Sequence, residues 1–289
     1  MAKLKGLHLR ARHIVEGYVA GLHRSPYHGF SIEFAEHREY TPGDDLRYVD
    51  WKVFGRTDKF YLKQYDDETN LICHLVVDVS ESMTYRGPNA ALSKFEYVQA
   101  TAAALAWLVL QQQDAAGLVT FDQRIRSNLR ASSSPSHLRQ ILQTLEAAPL
   151  EAETAAGPIF HELAQRLKKR SLVVILSDLF DDVDSMITGL KHFHHRRHDV
   201  LVFHVLDPVE LDFSFSRPTI FQGLERGPRV TADPRSLRGA YVKEIEAHVR
   251  RLRTGCRAMG IDYQQLRTDQ PFDIALSNYL AARMGRVRG

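Results

Sequence analysis

Cysteine is scarce in this sequence, long apolar runs are missing, and neither sign of charge dominates. The 289 residues include two cysteines, Cys73 and Cys256, which form no Cys-x-x-Cys pair, so a reducing compartment accounts for them. The longest apolar run, Ala102 to Leu110, falls well short of the roughly 20 residues that a bilayer span needs. The basic stretch Met1 to Arg12 is followed by no apolar signal-peptide core, and the expected location is cytoplasmic. A net charge of +3 is small, and the basic residues are scattered rather than gathered on one stripe, which gives no footprint for nucleic acid. The phosphate-cradling pattern Gly-x-x-x-x-Gly-Lys is also missing. What remains is an ordinary globular composition, 44% hydrophobic and 25% charged, in a chain long enough for one large domain and an appendage.

Periodicity divides the chain near residue 70. In the first part, Ile14, Val15, Tyr18, Val19 and Leu22 recur at helical spacing within Lys3 to Leu22. From Ser25 to Glu68, Ser31–Phe34 and Phe60–Tyr65 alternate like strands around a turn at Thr41-Pro42-Gly43-Asp44, and Asp44 or Asp45 can cap a helical turn through Trp51. This reads as a small β-rich appendage over residues 1–70. The main domain, 71–289, alternates strand and helix. Its apolar strands are Leu71–Asp78, Ala116–Phe121 with Ile125–Leu129 across a turn at Asp122-Gln123, Ser171–Asp178, Asp199–Leu206 and Ile261–Leu266. Helices are expected from the capping box Ser93-Lys94-Phe95-Glu96 to Gln113, from a start at Ser134-Pro135-Ser136 through His137 to Glu146, and over Pro158–Lys169, Asp181–His195, Arg235–Met259 and Phe272–Met284. A hairpin is inserted at about 208–232. The order predicts an α/β fold, a parallel sheet flanked by helices.

The chemistry concentrates at strand ends. Asp78 and Asp178 each close an apolar strand, and in a parallel sheet both emerge at the same edge, where open α/β sheets bind ligands. Ser80 and Ser82 follow Asp78 at intervals of two, and Thr154 lies in a loop that can face the same crevice. Five oxygen donors without histidine or cysteine suit Mg²⁺, Mn²⁺ or Ca²⁺ rather than zinc. Two carboxylates and three hydroxyls satisfy a divalent cation poorly, leaving it to hold water or an outside carboxylate.

The pattern Asp78-x-Ser80-x-Ser82, with Thr154 and Asp178, resembles the metal-ion-dependent adhesion site of von Willebrand factor A domains. The likeness runs from Asp78 to about Leu206. The N-terminal stretches Gly29–Phe34, Arg38–Arg47 and Val49-Asp50-Trp51 resemble family 58 of the domains of unknown function, a likeness that extends over nearly the whole chain. The resemblance implies a Rossmann-type von Willebrand factor A-like domain and a non-enzymatic, metal-dependent protein-binding role. It also implies a bacterial accessory or assembly factor working with a MoxR-type AAA+ ATPase, docking an acidic partner residue at the metal. Longer relatives carry membrane segments that this sequence lacks.

Other candidates are set against these. A haloacid-dehalogenase-like phosphatase would use Asp78 as nucleophile but needs a second aspartate two residues on, where Ser80 stands. A structural interaction domain with no metal is the remaining alternative. Asp181 and Asp182, next to Asp178, are ordinary helix-opening acids. His192, His194, His195 and His198 read as a solvated helix end. Arg38, Asp44, Asp45 and Arg47 form either a partner-facing charged surface or an internal salt-bridge network.

Overall fold

The computed structural model describes residues 37–39, 51–57, 59–63, 71–88, 90–215, 219–222 and 229–271. Arg24–Asn70 form one compact unit, and Met1–His23 with Leu71–Gly289 form the other. Within the smaller unit, β1 (His37–Glu39) pairs antiparallel with β2 (Tyr61–Lys63). Helix α1 spans Trp51–Thr57, and the Phe54 and Phe60 rings stack. The expected helix at Lys3–Leu22, the strand at Ser31–Phe34 and the terminal helix at Phe272–Met284 lie outside the described residues.

The larger unit carries β3 (Ile72–Asp78), α2 (Lys94–Gln111), β4 (Ala115–Phe121), β5 (Ile125–Ser132), α3 (His137–Glu146), α4 (Ala156–Arg166), β6 (Leu172–Ser177), α5 (Val183–His195), β7 (Asp199–Leu206), α6 (Pro208–Asp212), β8 (Thr219–Gln222), β9 (Arg229–Ala232), α7 (Pro234–Ala258) and β10 (Asp262–Arg267). Six strands form one sheet in the order β10-β7-β6-β3-β4-β5. The pairs from β10 to β4 are parallel, but β5 runs antiparallel to β4. The sheet is therefore mixed rather than wholly parallel. The turn after Phe121 is too short for a crossover, so β5 can only return as a hairpin.

Alternation along each buried strand divides the core between the two faces. Leu75, Val77, Val174, Leu176, Leu201 and Phe203 pack with α2 and α3 on one side. Val76, Val173, Ile175 and Val202 pack with α4, α5 and α7 on the other. Each fully buried Val, Leu or Phe contributes about 1.5–3 kcal/mol, which is why these apolar runs become central strands.

On the second face α4 and α5 meet backbone to backbone. A methyl group placed on Gly189 of α5 would stand 2.6 Å from the Gly157 carbonyl oxygen of α4, so only glycine permits that approach. The stretch after Leu206, expected to open a hairpin, opens instead with helix α6. Asp207 caps it, Pro208 stands at its start and Glu210 completes a capping box; the hairpin itself is β8 with β9.

Candidate functional site

The strand order places a crevice at Asp78. From β3 the chain crosses to β4 on one side, and it later returns to lay β6 on the other side of β3. Loops leaving the carboxyl ends of β3 and β6 therefore diverge, which is the position where open α/β sheets hold ligands. Asp78 ends β3 and Asp178 directly follows β6; both are fully buried.

The side chains join in one polar chain. Ser177 donates to Asp78 Oδ2 at 2.5 Å, and Thr154 Oγ1 lies 3.4 Å from the same oxygen. The Ser80 backbone N–H donates to Asp78 Oδ1 at 2.9 Å. The Ser80 and Ser82 hydroxyls are 3.0 Å apart, and Ser82 helps to hold the Asp178 carboxyl below its usual range. All five oxygen-bearing residues expected from the sequence thus lie in one polar neighbourhood. The loop carrying Thr154 is tied on both sides, since Glu81 N–H donates to Ala152 O at 2.8 Å and Ala155 N–H to Asp122 O at 3.3 Å.

Lys94, on the first turn of α2, is 1% exposed. Its Nζ lies 2.6 Å from Asp178 Oδ2 and 2.6 Å from Glu210 Oε1, with the Phe180 ring centroid at 4.9 Å. Burial alone would favour neutral lysine, but Asp178 and Glu210 outweigh it and hold the ammonium above its usual pKa. Asp178 feels the same burial, and Lys94 nonetheless draws it below the ordinary carboxylate range. Among the described residues Asp78 has no such partner. Burial first, and the charge of Asp178 second, push it up to about 7. Burial also raises Glu210, even beside Lys94.

A second set of contacts fixes the loop after β6. Leu179 adopts a left-handed backbone with φ of 51°, unusual for a branched side chain. Its N–H donates to Ser177 Oγ at 2.9 Å, and its carbonyl accepts from His248 Nε2 at 2.9 Å. His204 Nε2 lies 2.7 Å from the Asp178 carbonyl, so that nitrogen carries the hydrogen. The other ring nitrogen then accepts from the Tyr263 hydroxyl at 2.5 Å. Burial, then His248, lowers the His204 pKa to about 3, and the ring stays neutral.

Among the described residues no group of three or more His, Cys, Asp and Glu side chains is placed to hold a metal ion, so a cation here must rely on hydroxyls. The donors fit that requirement: all are hard oxygens converging on a carboxylate that lacks a counter-charge. With Asp78, Asp178 and Glu210 ionised against one ammonium, two negative charges stay uncompensated, the charge of one divalent ion.

The other expected residues fall differently. Asp181 Oδ2 accepts from Ala156 N–H and Asp182 Oδ1 from Ser185 N–H, each at 2.8 Å, so both serve helix starts. His198 is not solvated: it is buried, with Nδ1 3.0 Å from Ser171 Oγ, whereas His194 and His195 are exposed. Arg38 lies in β1; Asp44, Asp45 and Arg47 are outside the described residues.

Lys94, Ser177, His204, Glu210 and Tyr263 escaped the sequence reading. For Lys94 a signal was present. A cation in the first turn of a helix opposes the macrodipole, and such a mismatch calls for a buried partner.

A family model described as "Protein of unknown function DUF58" matches residues 36–251. Uncharacterized protein Rv1480 of Mycobacterium tuberculosis is 27% identical over 287 residues, 98% of this chain and 89% of that one. Uncharacterized protein Mb1516 of Mycobacterium bovis matches to the same extent, 27% over 287 residues. Among solved structures, the conserved hypothetical protein BatB from Bacteroides thetaiotaomicron superposes with a TM-score of 0.50 at 14% identity, covering 73% of this chain and 98% of that chain. That likeness concerns the fold, an α/β sheet of the von Willebrand factor A kind.

Proposed function

The chain belongs to the DUF58 family of proteins of unknown function, and we propose that it is a non-enzymatic protein-binding module whose capture of a partner depends on a divalent cation at the Asp78 rim. The reading is supported chiefly by one observation: a fully buried carboxylate, Asp78, is ringed by hydroxyls and has no cationic partner among the described residues. Asp78, Ser80, Ser82 and Thr154 would hold the ion, with Asp178 reached directly or through water. Mg²⁺ is the first choice, with Mn²⁺ or Ca²⁺ as substitutes. When bound, such an ion supplies a coordination position open to a carboxylate from another protein.

The protein's own residues then orient and shield that position. Ser177 fixes the Asp78 carboxylate, the tied loop of residues 152–155 sets Thr154, and His204 and His248 hold the turn after Asp178. A MoxR-type AAA+ ATPase is the partner that the family resemblance suggests, in an accessory or assembly role. Among the described residues no helix is long and apolar enough to cross a membrane.

The test is capture of a purified MoxR-type ATPase from the same genome, with Mg²⁺ and with EDTA. Wild-type protein should retain the ATPase only with the ion, and Asp78→Ala with Ser80→Ala should lose it while keeping the circular dichroism of the fold. Equal capture in EDTA overturns metal-dependent docking.

A further inference from the structure

Lys94 is a costly residue in its position. It sits at the positive end of an 18-residue helix, where the dipole disfavours a cation, and it is withdrawn from water almost completely. An ammonium has three N–H donors. Two are engaged by Asp178 and Glu210, and the Phe180 ring lies beside the group.

The residue also joins three separate elements. Its own backbone N–H donates to Tyr85 O at 3.0 Å in the loop after β3. Asp178 belongs to the loop after β6. Glu210 belongs to α6, and its Oε2 accepts from Asp207 N–H at 2.8 Å. Without this ammonium, Asp78, Asp178 and Glu210 would share a dry rim with no counter-charge among them. The fold would then need an outside cation to form.

We infer that Lys94 is the residue that sets the affinity of this rim for a divalent cation: it is a resident counter-ion that lets the rim fold empty and, by holding Asp178, keeps cation binding weak and reversible. The inference rests on the metal reading above in its binding arm; the effect on the empty protein stands apart from it. A purely structural lysine predicts that its loss weakens everything. A resident counter-ion predicts opposite signs, since removing it destabilises the empty protein and strengthens its hold on the ion.

The experiment compares the full-length wild type with Lys94→Met, Lys94→Gln and Glu210→Gln. Thermal denaturation is followed after EDTA treatment, and MnCl₂ and MgCl₂ binding is measured by calorimetry. Lys94→Met should melt lower than wild type when empty and bind Mn²⁺ about ten-fold more tightly, within the usual range for coupling between neighbouring sites. Glu210→Gln leaves the ammonium wholly to Asp178 and should bind Mn²⁺ more weakly. Variants at Lys94 that fold only with Mn²⁺ present also support the proposal.

If wild type binds and Lys94→Met binds equally or less well, the proposal falls and the metal reading stands. If only the Lys94 variants bind, the proposal holds and metal-dependent docking by the native chain falls. If neither binds, both fall. Should no Lys94 variant fold under any condition, Glu210→Gln decides, because unchanged or tighter binding there overturns the proposal.

Discussion

Asp78 and Asp178 occupy corresponding places one strand apart. Both follow apolar strands, both are fully buried, and both accept backbone N–H groups from the residue two positions on. They nonetheless differ in electrostatic state: Lys94 draws Asp178 down, while Asp78 is pushed up to about 7. The contrast shows that motif and burial do not fix the charge of a strand-end carboxylate. The deciding group comes from a helix 84 residues away in sequence from Asp178. Asp178 anchors the internal cation, and under the proposed function Asp78 would be the one to meet an external cation.

Three measurements test this division, beginning with the largest effect. Asp178→Ala removes one of the two partners of a buried ammonium and should cost about 3 kcal/mol in urea unfolding. Asp78→Asn, measured alongside in EDTA at pH 8, should be neutral or stabilising. Equal losses at the two positions would erase the contrast.

The second concerns pH. The folded pKa of Asp78 lies above its ordinary value, so its favourable contribution is full below about pH 4 and is lost as pH rises through about 7. Relative to Asp78→Asn, which cannot titrate there, the metal-free wild type should lose about 3 kcal/mol between pH 5 and pH 8, at about 1.4 kcal/mol per pKa unit. A pH-independent difference would place the proton elsewhere.

The smallest effect comes from Ser177→Ala. It deletes the 2.5 Å hydrogen bond to Asp78 and should cost about 1.5 kcal/mol, with the Asp78 titration moving upward because that bond favours the ionised form. An unmoved titration would mean that Ser177 does not tune this carboxylate.

Much of this architecture is legible in the residues, and the exceptions have physical causes. Asp199–Leu206 is read to both its ends, and the helix closing at Glu146 to its last residue although it starts at His137 rather than around Pro135, because strong apolar periodicity meets clear punctuation. The Asp78, Ser80, Ser82, Thr154 and Asp178 neighbourhood is also readable, because parallel strands bring their carboxyl ends to one edge. Lys94 is hidden because a capping box explains Ser93 and Glu96 and leaves the residue between them looking like solvent-facing filler. Glu210 is hidden for a related reason: a five-residue helix has too little periodicity to show in a pattern, although Asp207-Pro208 marks its start. His204 is the one polar side chain in the apolar run Val200–Leu206, and its bonds to Asp178 and Tyr263 follow only from packing. The histidines at the end of α5 are conspicuous in sequence. His194 and His195 face water as the helix-end reading expects, whereas His198 is buried against Ser171, a contact that follows only from packing.

The bare contact between Gly157 and Gly189 lies behind the rim, outside its ring of oxygens. Helix α4 begins two residues after Thr154, so a displacement of α4 would pass to the loop that carries that hydroxyl. A single added methyl at Gly189 would pry the helices apart and lift Thr154 from Asp78, detuning the rim from its far side without altering any of its oxygens.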